Sequence, residues 1–212
     1  MVKGKDGQEI PRVVIERLPR YYRYFVWLEN QVEKISSKKL GELLGSSASQ
    51  VRLDLSYFGD FGQQGYGYNT KKLKNELGKI LGINHQSNFI IIGAGNIGRA
   101  LVRYNAFYEA GFTIKGIFDI KPSLIGKEIN GVKIYDFNKI DGFIKEQNIE
   151  IGIIAVPEEV ANDVAKRLVE CGIKGILNFA PIDLDLPPGF PFENIHLIDK
   201  MLALSFIVKN QT

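Results

Sequence analysis

An apolar string, Phe89-Ile90-Ile91-Ile92, runs directly into Gly93-Ala94-Gly95-Asn96-Ile97-Gly98 and then into a helical pattern. Four consecutive apolar residues suit a strand covered on both faces of a parallel sheet. Three glycines at this spacing between strand and helix form a dinucleotide-binding turn. Gly93 permits the tight turn, Gly95 lets backbone approach a pyrophosphate, and Gly98 lets helix and strand pack closely. Ala94, Asn96 and Ile97 complete the turn, where the free N–H groups of a helix start favour negative charge.

Asp119 stands 21 residues beyond Gly98, at the end of a second expected strand, Thr113 to Asp119. A carboxylate there accepts both ribose hydroxyls of NAD(H) and repels the 2′-phosphate of NADP(H). Lys121 lies close enough to blunt that discrimination. Strand, glycines, helix, strand and acid together point to NADH or NAD+ as cofactor. A glycine-rich turn that binds no dinucleotide, or coenzyme A on the same scaffold, are the alternatives.

The rest of this half alternates in the same rhythm. A helix over 96–106, a short strand near Val132, a helix over 138–147 and a strand from Ile149 to Val156 are followed by a helix over 158–171 and a strand from Ile173 to Phe179. Such alternation gives a doubly wound parallel sheet, a Rossmann domain over residues 86–198. Ligands of open α/β sheets lie at the carboxyl ends of the strands, so Val156, Pro157, Asn178, Phe179 and Ala180 are further cofactor candidates. The tail, 199–209, reads as a short helix apolar almost all round, which must be covered on most sides.

Residues 1–82 read differently. A helix is expected from Pro11 to Ile35 on the recurrence of Val14, Leu18, Tyr21, Tyr22, Phe25 and Leu28. Ser36-Ser37 caps a second helix ending at Gly45, and Ser46-Ser47 caps a third over Ala48 to Tyr57. Two short helices about a tight glycine-containing turn form a helix–turn–helix. Alternating glycines and aromatics from Phe58 to Tyr68 suit a β-hairpin, the wing of a winged helix. A helix over Thr70 to Leu81 closes this domain, with Gly82 to His85 as linker. Residues 1–82 carry 14 Lys and Arg against 9 Asp and Glu, while the remainder carries 13 against 15. A basic front half on a slightly acidic body fits a nucleic-acid-binding module, and with the helix–turn–helix the expected partner is double-stranded DNA.

Arg52, on the third helix, is placed to bond a guanine bidentately. Ser47, Ser49 and Gln50 lie near that helix's N-terminus, where base and phosphate contacts arise, although capping explains Ser47 equally well. Ser56 and Tyr57 can reach phosphates, with core packing the alternative for Tyr57. Gln64 and Tyr66, in the wing, can enter the minor groove.

Catalytic machinery is not evident. The chain has two histidines, His85 in the linker and His196 near the C-terminus, and no Cys/His cluster of metal-site spacing. About thirty residues follow the last expected strand, too few for a substrate domain. Cys171 is the lone cysteine, so no internal disulfide forms and a reducing cytoplasm is the expected location. The N-terminus has no signal-peptide core, and no apolar run has membrane-spanning length. A binding role is favoured over an enzymatic one, with no metal and no membrane partner.

These residues resemble the Rex family of bacterial redox-sensing transcriptional repressors over nearly the whole length. The resemblance is carried by Gln50-Val51-Arg52-x-Asp54-Leu55-Ser56-Tyr57-Phe58-Gly59, by Gly62-x-x-Gly65-x-Gly67-Tyr68, by the 93–98 loop with Phe118-Asp119, and by Asn178-Phe179-Ala180-Pro181. It implies a homodimer in which each C-terminal helix, 199–212, inserts between the partner's two domains. It implies that NADH closes the dimer and releases an inverted-repeat operator. It also implies that Tyr104, after the glycine loop, links cofactor occupancy to Arg23; packing and a surface charge are the ordinary alternatives for those two. Leu53 and Gln64 depart from the family, which carries cations there, so weaker or redirected DNA binding is expected. A small NAD(P)-dependent oxidoreductase, a coenzyme A-binding enzyme subunit and an NADH sensor without DNA binding stay as competing readings.

Overall fold

A computed structural model describes residues 3–62, 66–83 and 85–211, which divide into two compact units, 1–85 and 86–212.

The first unit is built on α1 (Arg12–Leu28), whose buried stripe Val14, Leu18, Tyr21, Phe25 and Leu28 follows the helical period. The sequence pattern continues to Ile35, but the helix stops at Leu28. Lys34–Ile35 forms strand β1 instead, antiparallel to β2 (Tyr68–Asn69). Tertiary pairing overrides helical periodicity here: Ile35 and Tyr68 are both buried, and the Thr70 hydroxyl donates to the Val32 carbonyl at 2.6 Å.

Next come α2 (Ser37–Leu44) and α3 (Ala48–Ser56), each capped as the sequence suggests. Ser36 accepts the Lys39 N–H, Ser47 accepts the Gln50 N–H, and Gly45 ends α2 in the left-handed region. The turn between them closes onto Gly41, where an added Cβ would stand 2.6 Å from the Ser46 carbonyl oxygen. Helix α4 (Thr70–Ile80) completes the unit. The expected hairpin from Phe58 to Tyr68 is not seen among the described residues; β2 pairs with β1, and residues 58–62 form no strand. Gln64 lies outside the described residues.

The second unit holds a seven-stranded sheet: β3 (Ser87–Ile92), β4 (Phe112–Asp119), β5 (Glu128–Ile129), β6 (Val132–Asp136), β7 (Ile151–Ile154), β8 (Gly175–Asn178) and β9 (Phe192–Asn194). Spatial order is β5-β6-β4-β3-β7-β8-β9, parallel throughout except for β5 at the edge. From β6 to β9 this is the doubly wound Rossmann order, which reverses between β3 and β7.

Residues of β3 alternate between two cores. Ile90 and Ile92 join Ala161, Ala165 and Leu168 of α8 (Glu158–Glu170) and Ile140 and Ile144 of α7 (Ile140–Glu146). Phe89 and Ile91 join Val102 of α5 (Asn96–Val102) and Phe107 of α6 (Ala106–Glu109) on the opposite face.

The helix expected over 96–106 is thus two helices, broken at 103–105. The break lets Phe107 turn back to pack edge-on against Phe89, with ring centroids 5.2 Å apart. Two strands lacked an expectation, β5 and β9. Strand β5 pairs with the expected strand at Val132 through a hairpin that turns on Asn130-Gly131, both with positive φ, a two-residue turn matching the twist of its strands. Strand β9 follows the proline-rich stretch 187–191, which reads as loop. The tail helix α9 (Leu197–Lys209) leaves its apolar residues 52–69% exposed, from Leu197 to Val208.

Candidate functional site

The glycine loop leaves β3 at the point where the strand order reverses, beside the end of β7. An added Cβ on Gly98 would stand 1.9 Å from the Gly93 carbonyl oxygen, and one on Gly93 2.3 Å from that of Ala155. Any side chain at either position would push helix, loop and strand apart. Gly95 has the opposite surroundings: nothing lies within 4 Å of an added Cβ, so its backbone faces open space. The loop is closed on the protein side and open on the other, which suits a backbone that must meet a phosphate. Gly95, Asn96 and Ile97 are exposed, whereas Ala94 is buried.

Asp119 ends β4 beside this loop. Its Oδ2 accepts the Ala94 N–H at 2.8 Å and its Oδ1 accepts the Lys121 N–H at 2.9 Å. Lys121 therefore meets the carboxylate through its backbone, and its side chain is exposed. Arg99, which the sequence reading did not single out, donates from Nε to the Ala94 carbonyl at 2.9 Å. Acid and guanidinium hold the same residue, Asp119 through its N–H and Arg99 through its carbonyl, one on each of the two peptide groups that flank it.

At the end of β7, Val156 is half-buried beside Gly93 and Pro157 is exposed at the start of α8. The end of β8 corrects one expectation. Asn178 is 0% exposed, and its amide is consumed internally. Nδ2 donates to the Ile182 carbonyl at 2.8 Å, Asn194 Oδ1 at 2.9 Å and the Ala180 carbonyl at 3.2 Å, and Oδ1 accepts the Ala180 N–H at 2.9 Å. Asn178 ties β8, the following turn and β9 together and is not open to a ligand. Ala180 is buried too, leaving Phe179 as the residue of this trio with accessible surface. Tyr104, just beyond α5, is exposed and packs edge-on against Phe107 at 5.4 Å.

A cavity of about 390 Å³ lined by Asn88, Lys145, Glu150 and Lys174 lies at the amino ends of the strands, the end away from the glycine loop. Open α/β sheets bind at the carboxyl ends, so this hollow is not taken as the cofactor site. Cys171 donates to Asp141 Oδ1 at 3.0 Å; burial and that carboxylate push its thiol up to about 11, so little thiolate exists near neutral pH.

In the first unit, α3 presents Ser49, Arg52 and Ser56 outward. Arg52 Nη1 donates to Ser37 Oγ at 2.9 Å, which holds the guanidinium near the start of α2. Ser47 and Ser49 share a hydroxyl hydrogen bond of 2.9 Å, and Ser47 is the cap of α3. Ser56 turns back to the Leu53 carbonyl. Tyr57 is half-buried at the end of α3. Tyr66 is exposed, with Lys34 Nζ over its ring at 5.3 Å. Arg23 is exposed on α1.

The main feature missed from sequence lies behind α3. Asp54 is 1% exposed and accepts from Arg17 Nε and Nη2, both at 2.7 Å, from the Tyr21 hydroxyl at 2.9 Å and from Gln50 Nε2 at 2.7 Å. Burial alone would raise its pKa, but these donors, Arg17 foremost, hold it below the ordinary carboxylate value. The Tyr21 hydroxyl is pushed well above its usual value by burial and by the same carboxylate. The cluster fixes α3 on α1 and orients Gln50, whose amide is thereby partly committed. The available signal was an acid between Val51 and Leu55 on the inward face, matched by Arg17 four residues before Tyr21 on α1.

Among the described residues no group of three His, Cys, Asp or Glu could hold a metal, and no helix is long and apolar enough to cross a membrane.

Comparison with known proteins bears on both units. A family model described as "CoA binding domain" matches residues 84–182, and one described as "Putative DNA-binding protein N-terminus" matches residues 9–56. The redox-sensing transcriptional repressor Rex of Clostridium perfringens (strain SM101 / Type A) is 52% identical over 202 residues, covering 95% of each chain. That of Clostridium novyi (strain NT) is 49% identical over 95% of this chain and 96% of its own. The crystal structure of RSP in complex with β-NAD+ and operator DNA matches with a TM-score of 0.90 and 48% identity, covering 95% of this chain and 94% of that one. RSP in complex with β-NADH matches with a TM-score of 0.87 and 45% identity, covering 95% of each. At half-identity over nearly its whole length, this chain belongs to the Rex family of redox-sensing transcriptional repressors.

Proposed function

We propose that this chain is a transcriptional repressor that binds an inverted-repeat operator as a homodimer and is released when NADH binds. The observation that carries this reading is the two-part match: one relative of 48% identity is solved with NAD+ and operator DNA, and the same relative is solved with NADH. A regulator of chromosomal DNA works in the cytoplasm.

The cofactor reading assigns the phosphates to the open side of the 93–98 loop, at Gly95, Asn96 and Ile97. Asp119 accepts the ribose hydroxyls and, as a carboxylate, disfavours NADPH. Val156, Pro157 and Phe179 line the nicotinamide side. Arg52, Ser49, Ser56 and Tyr66 meet DNA, and the capping Ser47 sets the start of α3. Bound NADH supplies no chemistry here and is not consumed; its binding free energy is the signal. A ligand with about a 10⁴-fold preference for the released state moves the equilibrium from 1:99 to 99:1.

The exposed apolar surface of α9 supports the homodimer, because a helix apolar on most sides is stable only when covered. We read Tyr104 and Arg23 as the link between the two activities.

Selection of duplexes from a random library by the purified full chain, with and without NADH, tests the proposal. Enrichment of an inverted repeat that NADH abolishes is the expected result. NADH binding with no enriched duplex would leave a sensor acting through another partner. The coenzyme A model favours a second reading, an enzyme subunit. Turnover of a substrate with NADH or coenzyme A would establish that reading in its place.

A further inference from the structure

Helix α3 has a solvent face made of Ser49, Arg52, Leu53 and Ser56, at positions i, i+3, i+4 and i+7. The opposite face is Val51, Asp54 and Leu55, all buried. Each polar member of the exposed stripe already has a hydrogen bond inside the unit: Ser49 with Ser47, Arg52 with Ser37, Ser56 with the Leu53 carbonyl. Leu53, at the centre, is 53% exposed and stands outside the apolar core of its unit. The stripe therefore has an apolar middle and polar ends, on the helix that the DNA-binding reading directs into the major groove.

Covering Leu53 with polar groups costs free energy, because donors and acceptors pressed against a hydrocarbon lose water and gain no partner. The floor of the major groove is a row of such donors and acceptors, with one apolar exception, the 5-methyl group of thymine. A leucine beside Arg52 suits an arginine-read guanine next to a methyl-read thymine.

We propose that Leu53 is a specificity-determining residue that packs on a thymine methyl in each half-site of the operator. This inference rests on the DNA-binding reading above. Leu53 neutralises no phosphate, so it adds sequence preference and leaves the salt dependence of binding unchanged.

Thymine and deoxyuridine pair identically and differ by that methyl alone, which gives a direct test. Operator duplexes from the selection are remade with deoxyuridine at one thymine position at a time, symmetrically in both half-sites. Affinity of the full chain is then measured at fixed salt. One position should weaken binding by about fourfold per methyl removed, the loss expected for exposing one methyl-sized group. Leu53→Ala should bind the thymine and deoxyuridine duplexes equally, with an unaltered salt slope, and Leu53→Met should keep the preference for thymine. Indifference of the unaltered chain to deoxyuridine at every position overturns the proposal. So does a preference that survives Leu53→Ala. If the selection enriches no duplex at all, the DNA-binding reading itself has failed and takes this inference with it.

Discussion

Asp54 and Asp119 are both aspartates that hold a neighbouring element in place, one in each unit, and they are built for different work. Asp54 is buried and is met by side chains alone, with Arg17, Tyr21 and Gln50 saturating it. Asp119 is half-buried and is met by the backbone of a loop, through the Ala94 and Lys121 N–H groups. An acid enclosed by charged and hydroxyl donors fixes geometry and cannot exchange partners cheaply. An acid at a strand end with accessible surface can accept a ligand's hydroxyls in addition to, or in place of, two amides. The first aspartate fixes α3 on α1, and the second keeps accessible surface beside the glycine loop.

Removing each acid should expose that difference. Asp54→Ala should cost the first unit about 3 kcal/mol, because Tyr21 and Arg17 lose their common partner in a buried setting. Chemical denaturation should show an earlier transition for this unit, and operator affinity should fall with it. The same acid gives the first unit an acid limit. Its folded pKa lies below the ordinary value of about 3.9, so its contribution is complete above that value and is lost as pH falls through the lowered one. Asp54→Asn should flatten that limb of the stability profile; an unchanged limb would mean that other carboxylates govern it.

Asp119→Ala should leave the unfolding transition nearly in place and weaken NADH by about 30-fold, the worth of hydrogen bonds to a charged acceptor. Discrimination against NADPH should narrow with it. Unaltered selectivity would remove Asp119 from the cofactor site, and a large loss of stability would make it a second Asp54.

Arg99→Ala is the finest of these tests. Its one bond to the Ala94 carbonyl shapes the loop that Asp119 holds from the other side. Loss of about 1 kcal/mol, or roughly fivefold in NADH affinity, is expected in isothermal titration, with operator affinity in the absence of NADH unchanged.

The division between the two aspartates also marks what could be read from the residues alone. The place of Asp119 beside the glycine loop was legible because it depends on position along the chain: strand, glycines, helix, strand, acid. The capping serines of α2 and α3 and the alternation of β3 between two cores were legible for the same reason, since local periodicity dictates them. Asp54 and Asn178 were not, because their roles depend on partners 37 and 16 residues away that only the fold brings near. Asn178, read as a ligand contact from its place at a strand end, has its amide turned inward to bind β9, a strand hidden behind prolines. The end of α1 failed in the same way, as pairing of Ile35 with Tyr68 overrode a periodicity that continued past Leu28. The sharpest of the legible features outside the glycine loop was α9, where apolar residues all round announce a cover that the single chain does not supply.

In the proposed function, cofactor binding in one unit governs DNA binding in the other. The most direct test is to add NADH, then NAD+ in a separate series, to the full chain held on a fluorescent operator duplex, and to follow release by anisotropy. Release by NADH at concentrations where NAD+ leaves the complex intact is the predicted result. A complex that persists under NADH, while calorimetry shows the cofactor bound, would mean that the two activities are uncoupled.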